Sequence, residues 1–262
     1  MNRVKVLLIE PDDVDAVVTQ ENLAEAAPGL FVVRRRRFID ELINSVEAPS
    51  CDICIVDLDF TSTDELEHLS WLCNSYCADS AVVVYAGNVT EQEGLTATML
   101  GAEDFWIKGD VELETFAGTL LRSIERKKRE NVLRRQQMLI RHILDSIADG
   151  VASADHAGNL TYFNKAASHL AGMGRTDSLP NSWQETYGVF RPDRRTPYPA
   201  DETPLFKAIQ GHPVDDAHLF VRHSLLPEGR LLSLNGRPLV DEGGRKIGGV
   251  VSFREVFNDS EN

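Results

Sequence analysis

The first 122 residues alternate short apolar runs with helix-like stretches. The apolar runs have the length and the β-branched content of buried strands, and they lie at Val4–Ile9, Leu30–Val33, Ile53–Val56, Ala81–Tyr85 and Phe105–Ile107. Between them, Asp13–Ala27 runs into an Ala-Pro-Gly stop and Glu91–Gly101 ends at a glycine, as helices do. Strands that alternate with helices predict a five-stranded parallel sheet with helices on both faces, an α/β fold.

One long helix is predicted to follow this sheet. From Val111 to about Ile147 the chain has no proline and a single glycine, and apolar residues recur near a heptad spacing at Leu133 and Ile140. Two interpretations stay open: a helix that packs on its own domain and then crosses solvent, or a two-stranded coiled coil that makes a homodimer through residues 123–147. The chain is accordingly divided into a first domain at 1–122, a helical connector at 123–142 and a second domain at 143–262.

The last part of the chain has a different pattern. Two extended runs, Gly150–Ala154 and Leu160–Phe163, flank a turn-rich linker that is typical of a hairpin. Short helices are predicted next, with a polar loop at Asp177–Ala200 between them. Three extended runs close the chain, at Ala217–His223, Arg230–Leu239 and Ile247–Val256. This order predicts an α+β domain, in which an antiparallel sheet carries helices on one face.

Charge is spread unevenly along the chain. The formal net charge is −14, and residues 1–122 hold 8 basic and 23 acidic side chains. Phosphate contacts require clustered lysine and arginine, so the composition argues against a nucleic-acid partner. The basic run Arg34–Arg37 is either an anion or partner site, or a set of charges that keeps an edge strand from pairing.

Neither a membrane span nor a leader is predicted. No apolar stretch approaches the roughly 20 residues that cross a bilayer. The first residues, Met1–Lys5, lead directly into a strand and lack the apolar core of a signal peptide. We therefore expect a cytoplasmic protein with no membrane partner.

Three charged residues directly follow apolar runs of the predicted sheet. They are Glu10, Asp57 and Lys108. In open α/β sheets, ligands bind at the carboxyl ends of the strands, so these side chains are expected to share one edge. A carboxylate placed there, with an ammonium group aimed at it, can accept a phosphoryl group.

Residues 1–122 resemble a response-regulator receiver domain. Three motifs carry the resemblance in this order and spacing: Leu7-Leu8-Ile9-Glu10, Cys54-Ile55-Val56-Asp57-Leu58-Asp59 and Gly101-Ala102-Glu103-Asp104-Phe105-Trp106-Ile107-Lys108-Gly109. The resemblance implies a doubly wound, flavodoxin-like sheet in the order 2-1-3-4-5. It also implies a histidine kinase or a phosphotransfer protein as the partner.

The resemblance further implies a role for each site residue. Asp57 is the expected phosphoacceptor, and Lys108 is expected to pair with the phosphoryl oxygens. Mg²⁺ is the expected cofactor, because it screens the two anions that must meet. Its implied ligands are Glu10, Asp57 and the backbone carbonyl of Asp59.

Two positions depart from the family pattern. The family has a second acid directly after the first, whereas this chain has Pro11, so Asp12 or Asp13 would have to turn in, and Asp12 is the additional candidate ligand. The family also has serine or threonine after the fourth strand, whereas this chain has Ala86, which cannot donate a hydrogen bond to a phosphoryl oxygen. A second interpretation therefore stays open, a pseudo-receiver that serves as an interaction scaffold.

Residues 140–256 resemble a PAS domain. The matching segments are Ile143–Val151, Gly158–Ala167 and Ile247–Arg254. The resemblance implies a module for sensing or dimerisation, and its ligand is unknown because PAS pockets differ widely in what they bind. No cysteine lies beyond Cys77, which excludes a cysteinyl adduct with flavin.

These observations predict a two-component response regulator rather than an enzyme. Its receiver domain, phosphorylated at Asp57 by a histidine kinase, would control the PAS module. Two alternatives stay open. One is a non-phosphorylated pseudo-receiver joined to a ligand-binding PAS domain. The other is the N-terminal fragment of a larger signalling enzyme, such as a kinase or a cyclase.

Overall fold

The computed structural model describes residues 3–43, 50–87, 90–110, 113–176 and 180–256. The chain forms two compact units, Met1–Gln136 and Gln137–Asn262. The division falls inside the segment that the sequence predicts as a helical connector. Each unit has its own apolar core.

The first unit is a parallel sheet with helices between its strands. Its elements are β1 (Val4–Ile9), α1 (Asp13–Ala26), β2 (Phe31–Arg36), α2 (Asp40–Ile43), β3 (Ile53–Val56), α3 (Thr63–Trp71, continued by a wider helical turn at Leu72–Tyr76), β4 (Ala81–Ala86), α4 (Glu91–Met99), β5 (Asp104–Ile107) and the start of α5 (Leu113–Ser146). The strand order is β2-β1-β3-β4-β5, with parallel pairing throughout. The predicted doubly wound sheet in the order 2-1-3-4-5 is confirmed.

Alternating side chains along the strands form an apolar layer on each face of this sheet. Along β1, Val6 and Leu8 face one buried cluster, whereas Leu7 and Ile9 face the other. The strands β3 and β4 are buried along their whole length, as expected for central strands of a parallel sheet. This double burial fixes the positions of the residues that follow the strands at the carboxyl edge.

The second strand is longer than the sequence predicts. The predicted run ends at Val33, but β2 continues to Arg36, which pairs with Ile9 of β1. Polar residues can extend β2 because it is the edge strand, where side chains reach water. The structure thereby places Arg34–Arg36 on an edge strand.

The second unit is an antiparallel sheet with helices packed on it. Its elements after α5 are β6 (Gly150–Asp155), β7 (Leu160–Phe163), α6 (Lys165–Ala171), α7 (Pro180–Thr186), β8 (Val189–Phe190), a short 3₁₀ turn (Ala200–Glu202), α8 (Pro204–Gln210), β9 (Val214–His223), β10 (Leu226–Val240) and β11 (Lys246–Glu255). The strand order is β7-β6-β11-β10-β9-β8. The predicted α+β domain with an antiparallel sheet is confirmed.

The predicted polar loop at Asp177–Ala200 contains regular structure. The helix α7 and the strand β8 lie within it, and β8 pairs with β9. The sequence prediction missed them because prolines and charged residues dominate the segment. Trp183, Tyr187 and Val189 nevertheless bury their side chains in the core of this unit and hold the segment against the sheet.

Helices that could cross a membrane are absent from the described part of the chain, since none combines the necessary length with sufficient apolar character.

Candidate functional site

The carboxyl edge of the parallel sheet gathers the charged residues that follow its strands. Glu10 follows β1 and Asp57 follows β3, and these strands are neighbours, with Ile9 paired to Val56. The backbone N–H of Asp57 donates to the carbonyl of Ile9 at 2.9 Å, which holds the two acids side by side. Lys108 follows β5 at the same edge.

Lys108 joins three carboxylates. Its Nζ atom lies 2.7 Å from Glu10 Oε2, 2.6 Å from Asp15 Oδ2 and 2.8 Å from Asp57 Oδ2. The Lys108 side chain is 15% exposed and that of Glu10 only 1%, so this contact is shielded from water on its inner side. The structure thus brings together Glu10, Asp57 and Lys108, as the sequence predicts for their positions. Their functional roles stay predictions at this point.

Asp15 is a member of this group that sequence reasoning missed. It lies in the first turn of α1 rather than in the preceding loop. Its carboxylate reaches Lys108 from there, and one oxygen of each of Glu10, Asp15 and Asp57 lies within 4.8 Å of the others. The start of the helix was the signal in the sequence that could have identified Asp15. If Asp12 is the N-cap of α1, Asp15 is the third helical residue, and from that position its side chain can face the sheet edge.

The carboxylates of Asp12 and Asp13 have other partners in the structure, and the role of Asp12 as a metal ligand stays a prediction. Asp12 is the N-cap of α1, and its Oδ1 accepts the backbone N–H groups of Val14 at 2.7 Å and Asp15 at 3.0 Å. These bonds, first that of Asp15 and then that of Val14, lower the pKa of Asp12. Asp13 pairs instead with Arg35 at 2.6 Å. The carboxylate of Asp12 caps the helix, and the carboxylate of Asp15 contacts Lys108.

Asp59 lies two residues beyond the candidate phosphoacceptor. Its backbone carbonyl accepts the N–H of Ser62 at 3.0 Å. Its side chain accepts two hydrogen bonds from Thr61, which lower the pKa of the Asp59 carboxyl. The carbonyl retains a second lone pair, and its role as a metal ligand stays a prediction.

Burial and like charges act together on Glu10. Burial raises the pKa of Glu10 above its ordinary value of 4.5, and the nearby Asp57 adds to the rise against the opposing hydrogen bond from Lys108. Burial by itself would lower the pKa of Lys108, but its hydrogen bonds to Asp15, Asp57 and Glu10 outweigh that effect and raise it. One ammonium therefore faces three acids, and the group is short of positive charge.

The chemistry of the donor set fits a divalent cation. Mg²⁺ prefers carboxylate oxygens and commonly uses a few of them together with water. Glu10, Asp15 and Asp57 offer three such oxygens close together, and their net charge is negative even with Lys108 included. These are the residues that would hold Mg²⁺.

Substitutions of Asp15 and Asp12 are expected to have different effects on the affinity for Mg²⁺. We expect Asp15→Asn to weaken Mg²⁺ binding about tenfold or more, because it removes a carboxylate from the group. Asp12→Asn is the matched control: asparagine is an equally good N-cap, so the dissociation constant should stay within about twofold. Isothermal titration calorimetry checks both, and a larger loss in Asp12→Asn would contradict the assignment.

Ala86 ends β4 at the same edge and is buried. Its carbonyl accepts the backbone N–H of Lys108 at 2.9 Å, which fixes the start of the Lys108 segment. The side chain is a methyl group that packs into the apolar cluster. This position therefore offers no hydroxyl group at the carboxyl edge of the sheet.

The second unit has a small, partly open apolar cavity beside its sheet. Its volume is about 110 Å³. Aromatic and aliphatic side chains line it, among them Trp183, Leu219, Leu234 and Phe253. Tyr187 turns its hydroxyl away to the carbonyl of Gly174. The cavity thus suits a small uncharged molecule rather than a charged one.

Comparison with protein families supports the interpretation of the second unit. Residues 144–260 match the family described as PAS fold. No curated protein matches the chain significantly.

Several solved structures are similar to the first half of the chain, and they are receiver domains or response regulators. A response regulator from Thermotoga maritima is 16% identical over 47% of this chain and 99% of its own, with a TM-score of 0.41. A CheY-like receiver domain protein from Methanospirillum hungatei JF-1 is 12% identical over 49% and 99%, with a TM-score of 0.41. A two-component response regulator from Clostridium difficile is 18% identical over 47% and 97%, with a TM-score of 0.39.

The first unit combines a parallel sheet in the order 2-1-3-4-5 with three acids and a lysine at its carboxyl edge. The second unit matches the PAS fold family over residues 144–260.

Proposed function

We propose that Asp57 accepts a phosphoryl group from a histidine kinase or a phosphotransfer protein, and that this event controls the PAS unit. The observation that carries the proposal is the contact of 2.8 Å between Lys108 Nζ and Asp57 Oδ2, made beside Glu10 and Asp15. An ion pair that served stability alone would not need two further acids on the same ammonium.

The proposed reaction is a nucleophilic displacement at phosphorus. A carboxylate oxygen of Asp57 attacks the phosphorus atom of the donor phosphohistidine, a P–O bond forms, and the P–N bond breaks. The imidazole leaves with the electron pair and takes up a proton. Lys108 lies within hydrogen-bond reach of the attacked group and offsets its negative charge. When bound, Mg²⁺ would supply further positive charge where the two anions meet.

Phosphoryl uptake tests this proposal directly. We expect the wild-type protein, incubated with acetyl phosphate and Mg²⁺, to gain one phosphoryl group by intact mass. Asp57→Asn should gain none, because an amide is not a nucleophile of comparable strength. Asp59→Asn is the control, since the Asp59 carboxylate accepts hydrogen bonds from Thr61 and the substitution keeps the backbone carbonyl. It should retain uptake. Uptake by Asp57→Asn would contradict the proposal.

We propose that α5 carries the signal. Its first half packs on the receiver sheet, where Phe116, Leu120 and Ile124 are buried. Its last turn is tied to the second unit, since Asn164 Nδ2 donates to the carbonyl of Leu144 at 2.8 Å. A change at the receiver that displaced this helix would therefore reach the PAS sheet. The chain is proposed to be a switch without a substrate of its own.

A cytoplasmic location is part of this proposal. All four cysteines, Cys51, Cys54, Cys73 and Cys77, are free thiols. Free thiols are the usual state in a reducing cytosol, where kinases of this class would meet the receiver.

We further propose that the chain forms a homodimer through α5. Ile140 and Ile143 are 58% and 52% exposed, and Leu133, Leu139 and Ile147 are exposed as well. Leu133 and Ile140 lie one heptad apart on α5, and Ile143 follows three residues later. These three residues form a stripe that a second copy of the helix would cover.

Oligomeric state tests the dimer. We expect Ile140→Glu to shift the protein from dimer to monomer in sedimentation velocity, because it places a charge in the stripe. His142→Glu adds the same charge at an exposed position outside the stripe and should leave the dimer intact. A wild-type protein that sediments as a monomer would contradict the dimer without affecting the phosphorylation proposal.

A second candidate function is ligand sensing by the PAS unit, with the receiver as a scaffold. The observation that favours it is the apolar cavity of about 110 Å³, together with Ala86 in place of a hydroxyl residue. Native mass spectrometry of the purified protein tests it. A retained small apolar ligand, with no phosphoryl uptake, would favour this function over the first.

A further inference from the structure

Arg35 holds the loop between β1 and α1 with one guanidinium group. Its Nε and Nη2 atoms donate to the carbonyl of Glu10 at 3.0 and 2.8 Å. Nη2 also donates to the carbonyls of Pro11 at 3.3 Å and Asp12 at 3.1 Å. Nη1 completes the set with Asp13 Oδ1 at 2.6 Å. Three consecutive carbonyls and one carboxylate thus share a single side chain.

The guanidinium adds to hydrogen bonds that the loop makes elsewhere, since the carbonyl of Asp12 also accepts the N–H of Ala16 at 3.1 Å. The planar fork of a guanidinium can reach several acceptors at once, whereas the ammonium of a lysine is a compact point charge. Arg35 is well placed for this because it lies on the edge strand β2, directly beside β1.

The loop that Arg35 holds also positions two acids of the candidate site. Glu10 Oε1 accepts the backbone N–H of Asp12 at 3.1 Å, while Oε2 meets Lys108. Asp12 caps α1 and so fixes the helix start, which aims Asp15 at Lys108. A shift of the loop would therefore move both Glu10 and Asp15.

We propose that Arg35 is a positioning residue for the Mg²⁺ and phosphoryl site. It compensates for Pro11, which stands where the receiver pattern has its second acid, by fixing the loop that delivers Asp15 instead. The inference rests on the proposed function, because it assigns Arg35 to that same site.

A role of Arg35 through its charge and a role in positioning the loop predict opposite changes in Mg²⁺ affinity when Arg35 is replaced. If Arg35 acted only through its positive charge, its removal would strengthen the binding of a cation nearby. If it positions the loop, its removal should weaken binding, because the carboxylates lose their arrangement. Arg37 offers a matched comparison, since its guanidinium contacts both carboxylate oxygens of Asp13, which follows the three carbonyls that Arg35 holds.

The test is the Mg²⁺ dissociation constant by isothermal titration calorimetry, on the full chain. We expect Arg35→Gln to weaken binding by about tenfold or more, the effect typical of residues that orient metal ligands. Arg35→Lys should weaken it similarly, although it keeps the charge and guards against a loss of folding. Arg37→Gln should stay within about twofold. Binding by both Arg35 variants that equals or exceeds that of the wild type would overturn the inference.

A double-mutant cycle separates positioning from a general loss of stability. If Arg35 acts through Asp15, Arg35→Lys should cost clearly less affinity in an Asp15→Asn background than in the wild type. Full additivity would overturn the proposed route through Asp15. A wild-type protein that binds no Mg²⁺ would overturn the metal part of the proposed function and this inference with it, whereas equal binding in the wild type and in both Arg35 variants would overturn this inference alone.

Discussion

Lys108→Met is expected to destabilise the N-terminal unit by about 3 kcal/mol at neutral pH, the low end of the range for removing one partner of a buried ion pair. The loss follows from the three carboxylates that Lys108 contacts, of which Glu10 is buried. Asp15 and Asp57 are partly exposed, so water still solvates their charges, and this limits the loss of stability. The free energy of unfolding, measured in urea by hydrogen exchange in peptides of this unit, checks the change.

The dependence of this loss on pH has a definite sign. The pKa of Lys108 is raised in the folded state, so its stabilisation is fully present at neutral pH and is lost only as the pH rises through that value. The pKa of Glu10 is raised as well, so Glu10 takes up a proton at a higher pH than an ordinary glutamate does. Acidification therefore removes part of the repulsion among the three carboxylates in Lys108→Met. The difference between variant and wild type should therefore shrink below neutral pH.

Lys5→Met is the matched control for Lys108→Met. Lys5 lies on β1 and is exposed, and its ammonium bonds with the Ser50 hydroxyl. An exposed pair of this kind contributes little, so we expect a change within about 0.5 kcal/mol. Equal losses in the two variants would contradict the special position of Lys108.

Asn164→Ala is expected to destabilise the PAS unit by about 3 to 4 kcal/mol, because it leaves several buried polar groups without partners. Asn164 is fully buried. Its Oδ1 accepts the N–H groups of Val151 and Ala167, and its Nδ2 donates to the carbonyls of Leu144 and Asp149. One side chain thereby joins the end of α5, the strand β6 and the start of α6. Hydrogen exchange in peptides of this unit checks the prediction.

Two comparisons define the contribution of Asn164. Asn164→Asp keeps an oxygen that accepts from Val151 and Ala167, but its second carboxylate oxygen faces two carbonyl oxygens in a buried position. Its loss should therefore be at least as large as that of the alanine variant. Asn159→Ala makes the same substitution at an exposed turn, where the side chain donates to Asp155, and should cost at most about 1 kcal/mol. A loss in Asn164→Ala no greater than in Asn159→Ala would contradict the described network.

The fold follows from the sequence because its strands are strongly patterned. The buried runs at β3 and β4 have no polar residue to disturb the pattern, and the turns of the second unit are marked by glycine and asparagine. The helix α7 escaped prediction because its apolar residues are sparse. Its stability depends on tertiary burial of Trp183, which local patterns do not report.

The site was predictable only where a residue directly follows a strand. Glu10, Asp57 and Lys108 satisfy that rule, and the sheet brings them together. Asp15 does not, since its position depends on where α1 begins, and Asp12 determines that by capping the helix. The position of Arg35 in the site depends on a contact between an edge strand and a loop. Arg35 and Glu10 are 25 residues apart in the sequence, and short-range patterns do not encode such contacts.

The most direct measurement is the location of the phosphoryl group on the protein. Hydroxylamine converts an aspartyl phosphate into a hydroxamate and so labels the residue that carried it, which peptide mass spectrometry can read after treatment with acetyl phosphate and Mg²⁺. We predict a single label on Asp57, absent when Mg²⁺ is chelated. A label on Asp15, Glu10 or Asp59 instead, or no label with a folded wild-type protein, would contradict the account.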